Sequence, residues 1–332
     1  MRDNRPIGCP KRGGAGPYQD VTCDLMTLIV RDFRASDAAA VAEARRAAWP
    51  CLVTTAEGVA WEVRNAPAEQ RLRLLVAESD GVVLGSAPTG VFTERGRPGR
   101  AFTDVHVHPA HRRRGVGTAL LHSAEEYLAG LGTSSVYSWT LDERPSTTFA
   151  ERRGYRRSRG SRFLRLDLAE TELPPLGPLP PGVELRRGTD FAADPRPCYA
   201  AESAAGRDEP GDVSPDSGSY EQWLAADWGR PERSAELTSY ALVDGVIAAY
   251  SIAIVDGRGR YMSGGTGTLR GCRGRGLAKL AKNHSLHLAR AAGCTEAFAG
   301  NDTGNAPMLT INQWFGYRPA AEEWRYVREL AV

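Results

Sequence analysis

The sequence predicts an α/β protein in which one domain plan is used twice. Three observations predict it. The chain has 332 residues, 42% hydrophobic and 25% charged, which is enough for about two domains of ~150 residues with ordinary cores. A proline-rich stretch, AETELPPLGPLPPG from Ala169 to Gly182, falls near the middle, and its fixed φ angles and missing donors suit an extended spacer. The strand, hairpin and helix signals to its left recur in the same order to its right. The organisation expected is a flexible tail over 1–26, with Met26 a candidate start, an N-terminal domain over 27–168, a linker over 169–182, and a C-terminal domain over 183–332.

In the N-terminal domain LIVRDFRASDAAAVAEARRAAW gives a short strand, a cap at Ser36 or Asp37, and an alanine-rich helix. RLLVAESDGVVLGSAPTGVF reads as two strands turned at Asp80-Gly81, a type I′ hairpin signal. A strand through Val105 and Val107, a glycine-bearing turn and a helix from about Thr118 to Ala129 follow. SSVYSWTL, a short helix and RGYRRSRGSRFLRLDL complete the unit. The second unit repeats the order with VELRRGTDFAADPRPCYAAESAA, SYALVDGVIAAYSIAIV with its hairpin at Asp244-Gly245, RGRGLAKLAKNHSLHLARAAG, and CTEAFAGNDTGNAPMLTINQWFGYRP.

Composition narrows the function classes. Lysine and arginine number 42 against 40 acidic residues, so no global field calls for a nucleic acid or a membrane surface. The longest nearly apolar run, Tyr240 to Val255, is shorter than the ~20 residues a membrane span needs, and the tail lacks the apolar stretch of a secretory signal. Six cysteines are scattered with no C-x-x-C pair, which fits a reducing cytoplasm. His106, His108 and His111 lack a completing ligand, so no metal is expected. The seven arginines between Arg152 and Arg165 lack a stacking platform for bases; they could instead favour an acidic substrate or a phosphate group.

The strongest chemical signal is a pair of loops, RRRGVG from Arg112 to Gly117 and RGRGLA from Arg273 to Ala278. Each follows a strand and opens a helix. Gly115 and Gly276 let the backbone turn and a ligand approach closely, while the first N–H groups of the helix point at it along the positive end of the dipole. This is an anion cradle suited to a pyrophosphate. Neither G-x-x-x-x-G-K-[ST] nor G-x-G-x-x-G is matched.

In these loops the chain resembles the GCN5-related N-acetyltransferases, whose signature [RQ]-x-x-G-x-[GA] binds the pyrophosphate of acetyl-coenzyme A. The resemblance runs twice over nearly the whole chain after Thr27, in VHVHPAHRRRGVGTALL and in TGTLRGCRGRGLAKLA, and the tandem plan is similar to the mycothiol synthase-like actinobacterial acetyltransferases. It implies two tandem domains of this family, each a mixed, mostly antiparallel twisted sheet flanked by helices. It also implies acetyl-coenzyme A at Val107, Arg112, Arg113, Arg114, Gly115, Val116, Gly117 and Thr118 in the first unit. In the second the counterparts are Thr268, Leu269, Arg273, Gly274, Arg275, Gly276, Leu277 and Ala278, with Asn305 on the pantetheine arm. Asn312 stands where relatives carry the tyrosine that protonates the leaving thiolate; in the first unit Glu143 and Ala150 stand at the asparagine and tyrosine positions.

Acetyl transfer to an amine needs a base for the ammonium proton and donors for the thioester carbonyl. Asp104 and His106 are candidates in the first unit, or ordinary residues of a half-exposed strand. In the second, Thr266 and Asn301 are expected to flank the acetyl group by analogy with the tandem relatives, and a base must come through water or from Glu202, Asp208 or Glu209. The reading is an N-acetyltransferase acting on the amine of a small molecule such as a sugar amine, an amino acid or an antibiotic. It is expected as a monomer or homodimer with catalysis in the C-terminal half; a non-catalytic acyl-coenzyme A sensor is the alternative.

Overall fold

The computed structural model describes residues 27–93, 98–208 and 218–330; the tail expected over 1–26 and Glu209 lie outside them. The first half runs β1 (Ile29–Asp32), α1 (Ala38–Ala48), α2 (Ala56–Asn65), β2 (Arg73–Ser79), β3 (Val82–Val91), β4 (Arg100–Thr103), β5 (His106–Val107), α3 (Val116–Gly130), β6 (Ser135–Leu141), α4 (Arg144–Glu151) and β7 (Arg156–Asp167). The second runs β8 (Val183–Arg187), α5 (Arg196–Gly206), α6 (Tyr220–Trp223), β9 (Ser239–Val243), β10 (Val246–Val255), β11 (Arg260–Thr268), α7 (Leu277–Ala291), β12 (Glu296–Asp302), α8 (Ala306–Trp314) and β13 (Arg318–Glu329). Both Asp-Gly hairpins form as expected: Asp80 and Gly81 have φ of 50° to 80°-type values (51° and 77°), and Asp244 and Gly245 repeat them (50° and 80°), the left-handed pair a type I′ turn requires.

Strand alternation assigns the two faces of each half. On β2, Leu75 and Ala77 pack under Val116, Leu120 and Ala124 of α3, while Leu74 and Val76 pack under Val41, Ala42 and Val59 of α1 and α2. The second half repeats this: Ala241 of β9 meets Leu277 and Ala281 of α7, and its neighbours Tyr240 and Leu242 meet Cys198, Ala201 and Ala205 of α5. The sheet is mixed and mostly antiparallel, the parallel pairs being β4 with β6 and β11 with β12. Each parallel pair holds for three residues, Arg100–Phe102 on Ser135–Tyr137 and Arg260–Met262 on Glu296–Phe298. Beyond that the pairing stops, and in the first half the cradle and the parted strands line one cavity.

The halves share one sheet by exchanging their last strands. Its order is β1-β2-β3-β4-β6-β13-β7-β12-β11-β10-β9-β8, so β13 pairs with β6 of the first half and β7 with β12 of the second. This accounts for the arginine cluster. Arg157 pairs with Asp142, Arg159 with Asp302, Arg162 with Glu322 and Arg165 with Glu296, three of the four carboxylates coming from the second half. The proline-rich stretch is extended and docked: the Pro174 carbonyl accepts hydrogen bonds from Asn283 (2.9 Å) and pairs with His287 Nε2 on α7, and Leu173 is buried.

Candidate active site

The two cradles are built alike. A 3-10 turn, Pro109–His111 or Arg270–Cys272, leads into each loop. The residues at the second position, Arg113 and Gly274, and at the fourth, Gly115 and Gly276, all have φ between +65° and +83°. Two left-handed residues so close turn several backbone N–H groups toward one point. Helices α3 and α7 then start from Gly115 and Gly276 with no side-chain cap, whereas Thr55 caps α2 and Asn305 caps α8. Their first-turn donors therefore face outward, as an anion requires. A Cβ built on Gly115 or Gly276 meets no atom within 4 Å, so the space before each helix is open. Gly117 is different: a Cβ there would lie 3.3 Å from the Phe149 ring, which packs α4 against α3.

In the first half a cavity of about 730 Å³ runs from the cradle into the gap between β5 and β6. Val107, Arg112, Arg113, Gly115, Val116, Gly117 and Thr118 line it together, as the sequence expectation grouped them; Arg114 is exposed outside the wall. Arg153 lies 3.7 Å over Phe149 and donates to Thr118 at 2.6 Å, which adds a cation at the mouth. The inner end is lined by Trp49, His106, Trp139, Thr140 and Leu141. Asp104 sits beneath this wall and accepts the Trp139 N–H at 2.7 Å; burial pushes its carboxyl above the usual range. His106 is buried, its Nδ1 without a protein partner, and desolvation aided by Arg45 holds it neutral, down to about 3. Glu323 of the exchanged β13 is pushed up to about 7, chiefly by burial.

In the second half a polar chain runs from α7 through α8 to β12. Lys282 Nζ donates to Asn312 Oδ1 at 2.5 Å, and Asn312 Nδ2 donates to Asn301 Oδ1 at 2.6 Å. Asn301 and Asn312 are thus brought together, whereas Thr266, expected beside Asn301, joins Ser251 of β10 at 3.3 Å. Asn305 uses Oδ1 to cap α8 through Met308 N–H. Arg273 donates to the Thr268 carbonyl at 3.3 Å and also pairs with Asp208, as does Arg270. Leu277 is buried behind Gly276, while Thr268, Leu269, Arg275 and Ala278 lie along the strand end and cradle. The candidate carboxylates are engaged: Glu202 is buried against Arg233, Tyr240 and Trp223.

With this geometry in hand, comparison with known proteins decides the family. Residues 39–155 match the model of the acetyltransferase (GNAT) family, so the match falls on the first half. A mycothiol acetyltransferase from Clavibacter michiganensis subsp. michiganensis is 31% identical over 273 residues, covering 79% of this chain and 86% of that one. The chain belongs to the GNAT acetyltransferase family. A second mycothiol acetyltransferase, from Clavibacter sepedonicus, is 30% identical over the same shares. Among solved structures, a tandem GNAT protein from the clavulanic acid biosynthesis pathway superposes with a TM-score of 0.68 at 21% identity, covering 92% of this chain and 99% of that one. A GCN5-related N-acetyltransferase from Sphaerobacter thermophilus gives 0.63 at 21% identity over 91% and 95%. The first of these shows the tandem GNAT fold, and the family makes the chain an N-acetyltransferase. No helix among the described residues is long and apolar enough to cross a membrane.

Sequence reasoning missed Lys282, Thr140, Trp49 and Leu121. Lys282 was legible by aligning the halves: it falls on the apolar face of α7, six residues after Gly276, where Leu121 follows Gly115.

Proposed function

We propose that the protein transfers an acetyl group from acetyl-coenzyme A to the primary amine of a small molecule, a sugar amine, amino acid or antibiotic. The observation that carries this reading is the duplicated, uncapped helix N-terminus opening on a gap between parting parallel strands. The residues fit the group: each cradle leaves free donors and room where a Cβ would stand, and the first opens into a cavity of about 730 Å³. Acetyl-coenzyme A, when bound, supplies the thioester on which the amine acts.

The chain's residues divide the work. The cradle N–H groups hold the pyrophosphate, and the parted strands offer backbone groups to the pantetheine arm. Turnover is assigned to the C-terminal half, which keeps Asn305 and carries the hydrogen-bonded chain Lys282–Asn312–Asn301 where the first half has Leu121 and Ala150. The N-terminal half holds a second coenzyme A and supports the fold through β7. The two units are taken as 27–168 and 183–332, joined by 169–182.

A second reading places turnover in the N-terminal half, and the observation favouring it is Asp104 beneath an open cavity. A thiol-release assay with acetyl-coenzyme A and a panel of primary amines tests the function itself. Amine-dependent release supports it; no release with any amine, by a protein that binds the thioester, returns the non-catalytic sensor.

A further inference from the structure

The duplication gives the cavity walls of the first half counterparts in the second. Leu121 of α3, Ala150 of α4 and Thr140 of β6 line the first cavity. With the cradles aligned at Gly115 and Gly276, and the Gly-Tyr turns at Gly154 and Gly316, their counterparts are Lys282, Asn312 and Asn301. Two apolar groups and a threonine are replaced by a hydrogen-bonded chain. Lys282 and Asn312 have no exposed surface.

We propose that Lys282 is the proton donor to the departing thiolate, a catalytic residue acting beside Asn312 in the C-terminal half; this rests on the reading that this half turns over. In the step, the amine nitrogen bonds to the thioester carbon, the C–S bond breaks and its electron pair goes to sulfur. The Lys282 ammonium gives a proton to that sulfur and becomes an amine. The proton lost from the substrate nitrogen enters solvent, and Lys282 takes one back from it.

The choice of side chain supports the role. The chain has three lysines, Lys11, Lys279 and Lys282, the other basic residues being arginine. Arginine at 282 would stay charged and could not release a proton, whereas a buried lysine can. Burial alone pushes Lys282 down to about 7, so both forms exist at neutral pH. The groups facing it are Asn312 from α8 and the Tyr317 ring, 4.8 Å away before β13. Burial keeps the Tyr317 phenol un-ionised, well above its ordinary range, and Lys279 on the same helix turns to Trp314.

The test combines NMR of protein labelled with carbon-13 at the lysine ε carbon, on the full chain, with pH profiles of turnover. Of three lysine signals one should titrate near neutral pH and vanish in Lys282→Met. That variant should lose about 100-fold or more in kcat, the scale of a lost proton donor, while acetyl-coenzyme A binding stays within a few-fold. Wild-type kcat should fall as pH rises through the Lys282 titration. Asn312→Asp, which sets a carboxylate beside the ammonium, should move that limb upward, and it carries the test if Lys282→Met does not fold. Lys282→Met at near wild-type kcat, or a kcat that rises through this limb, overturns the proposal. If Gly276→Val turns over normally, the C-terminal reading has failed; if Gly276→Val is dead but Lys282→Met is active, only the role of Lys282 has failed.

Discussion

Replacing Gly276 with valine places a branched side chain at the start of α7, where φ is +76°. A left-handed conformation costs an L-residue about 1–2 kcal/mol, and no protein atom lies within 4 Å of the new Cβ, so the fold pays strain without a clash. For a chain of this size that is a fall in Tm of a few degrees. The same change at Gly115, where φ is +83° and the Cβ again meets nothing, should cost the same. The ligand sees a different outcome. Valine fills the space a pyrophosphate needs, and a reacting carbonyl displaced by about 1 Å can lose ~100-fold in rate. Each variant should therefore lose one equivalent of bound acetyl-coenzyme A by calorimetry. Gly276→Val should abolish thiol release, whereas Gly115→Val should keep most of it. Release lost in a folded Gly115→Val and kept in Gly276→Val would refute the assignment and make Asp104 or His106 the best base candidate.

Other consequences can be measured separately. Asp208, held down to about 2 chiefly by its hydrogen bond to Arg270 and also by Arg273, competes with any anion for those guanidinium groups; Asp208→Asn should bind acetyl-coenzyme A a few-fold more tightly at low salt, checked by calorimetry. Glu202→Ala leaves Arg233 buried without its carboxylate and should cost about 3–5 kcal/mol, read as a lower urea midpoint at unchanged m-value. Glu323 binds its proton more tightly folded than unfolded, so it costs stability progressively as pH rises from 4.5 through about 7. Glu323→Gln should thus match the wild type at pH 4 and exceed it at pH 8, by about 3 kcal/mol, in denaturant titrations at the two pH values.

Features with local causes were legible in the sequence. The Asp-Gly hairpins and the cradles depend on residues that tolerate positive φ, and the glycines announce them. The end of the arginine-rich segment was readable as a strand, but its place was not: alternation reports which side chains are wet, not which strand supplies the hydrogen bonds. Only the fold shows β7 lying between β12 and β13, with Arg162 and Arg165 matched to carboxylates more than a hundred residues away. The partners of the acidic candidates in and after α5 were hidden for a related reason, since Glu202 and Asp208 are engaged by arginines from distant segments. Lys282 carries a signal only when the halves are aligned, because nothing local in α7 marks it for total burial.

Both cradles are proposed to bind acetyl-coenzyme A. Isothermal titration of the full chain with acetyl-coenzyme A tests it most directly. Binding should saturate at up to two equivalents and fall by one in either glycine-to-valine variant. Absence of binding at millimolar ligand by a folded protein would contradict it.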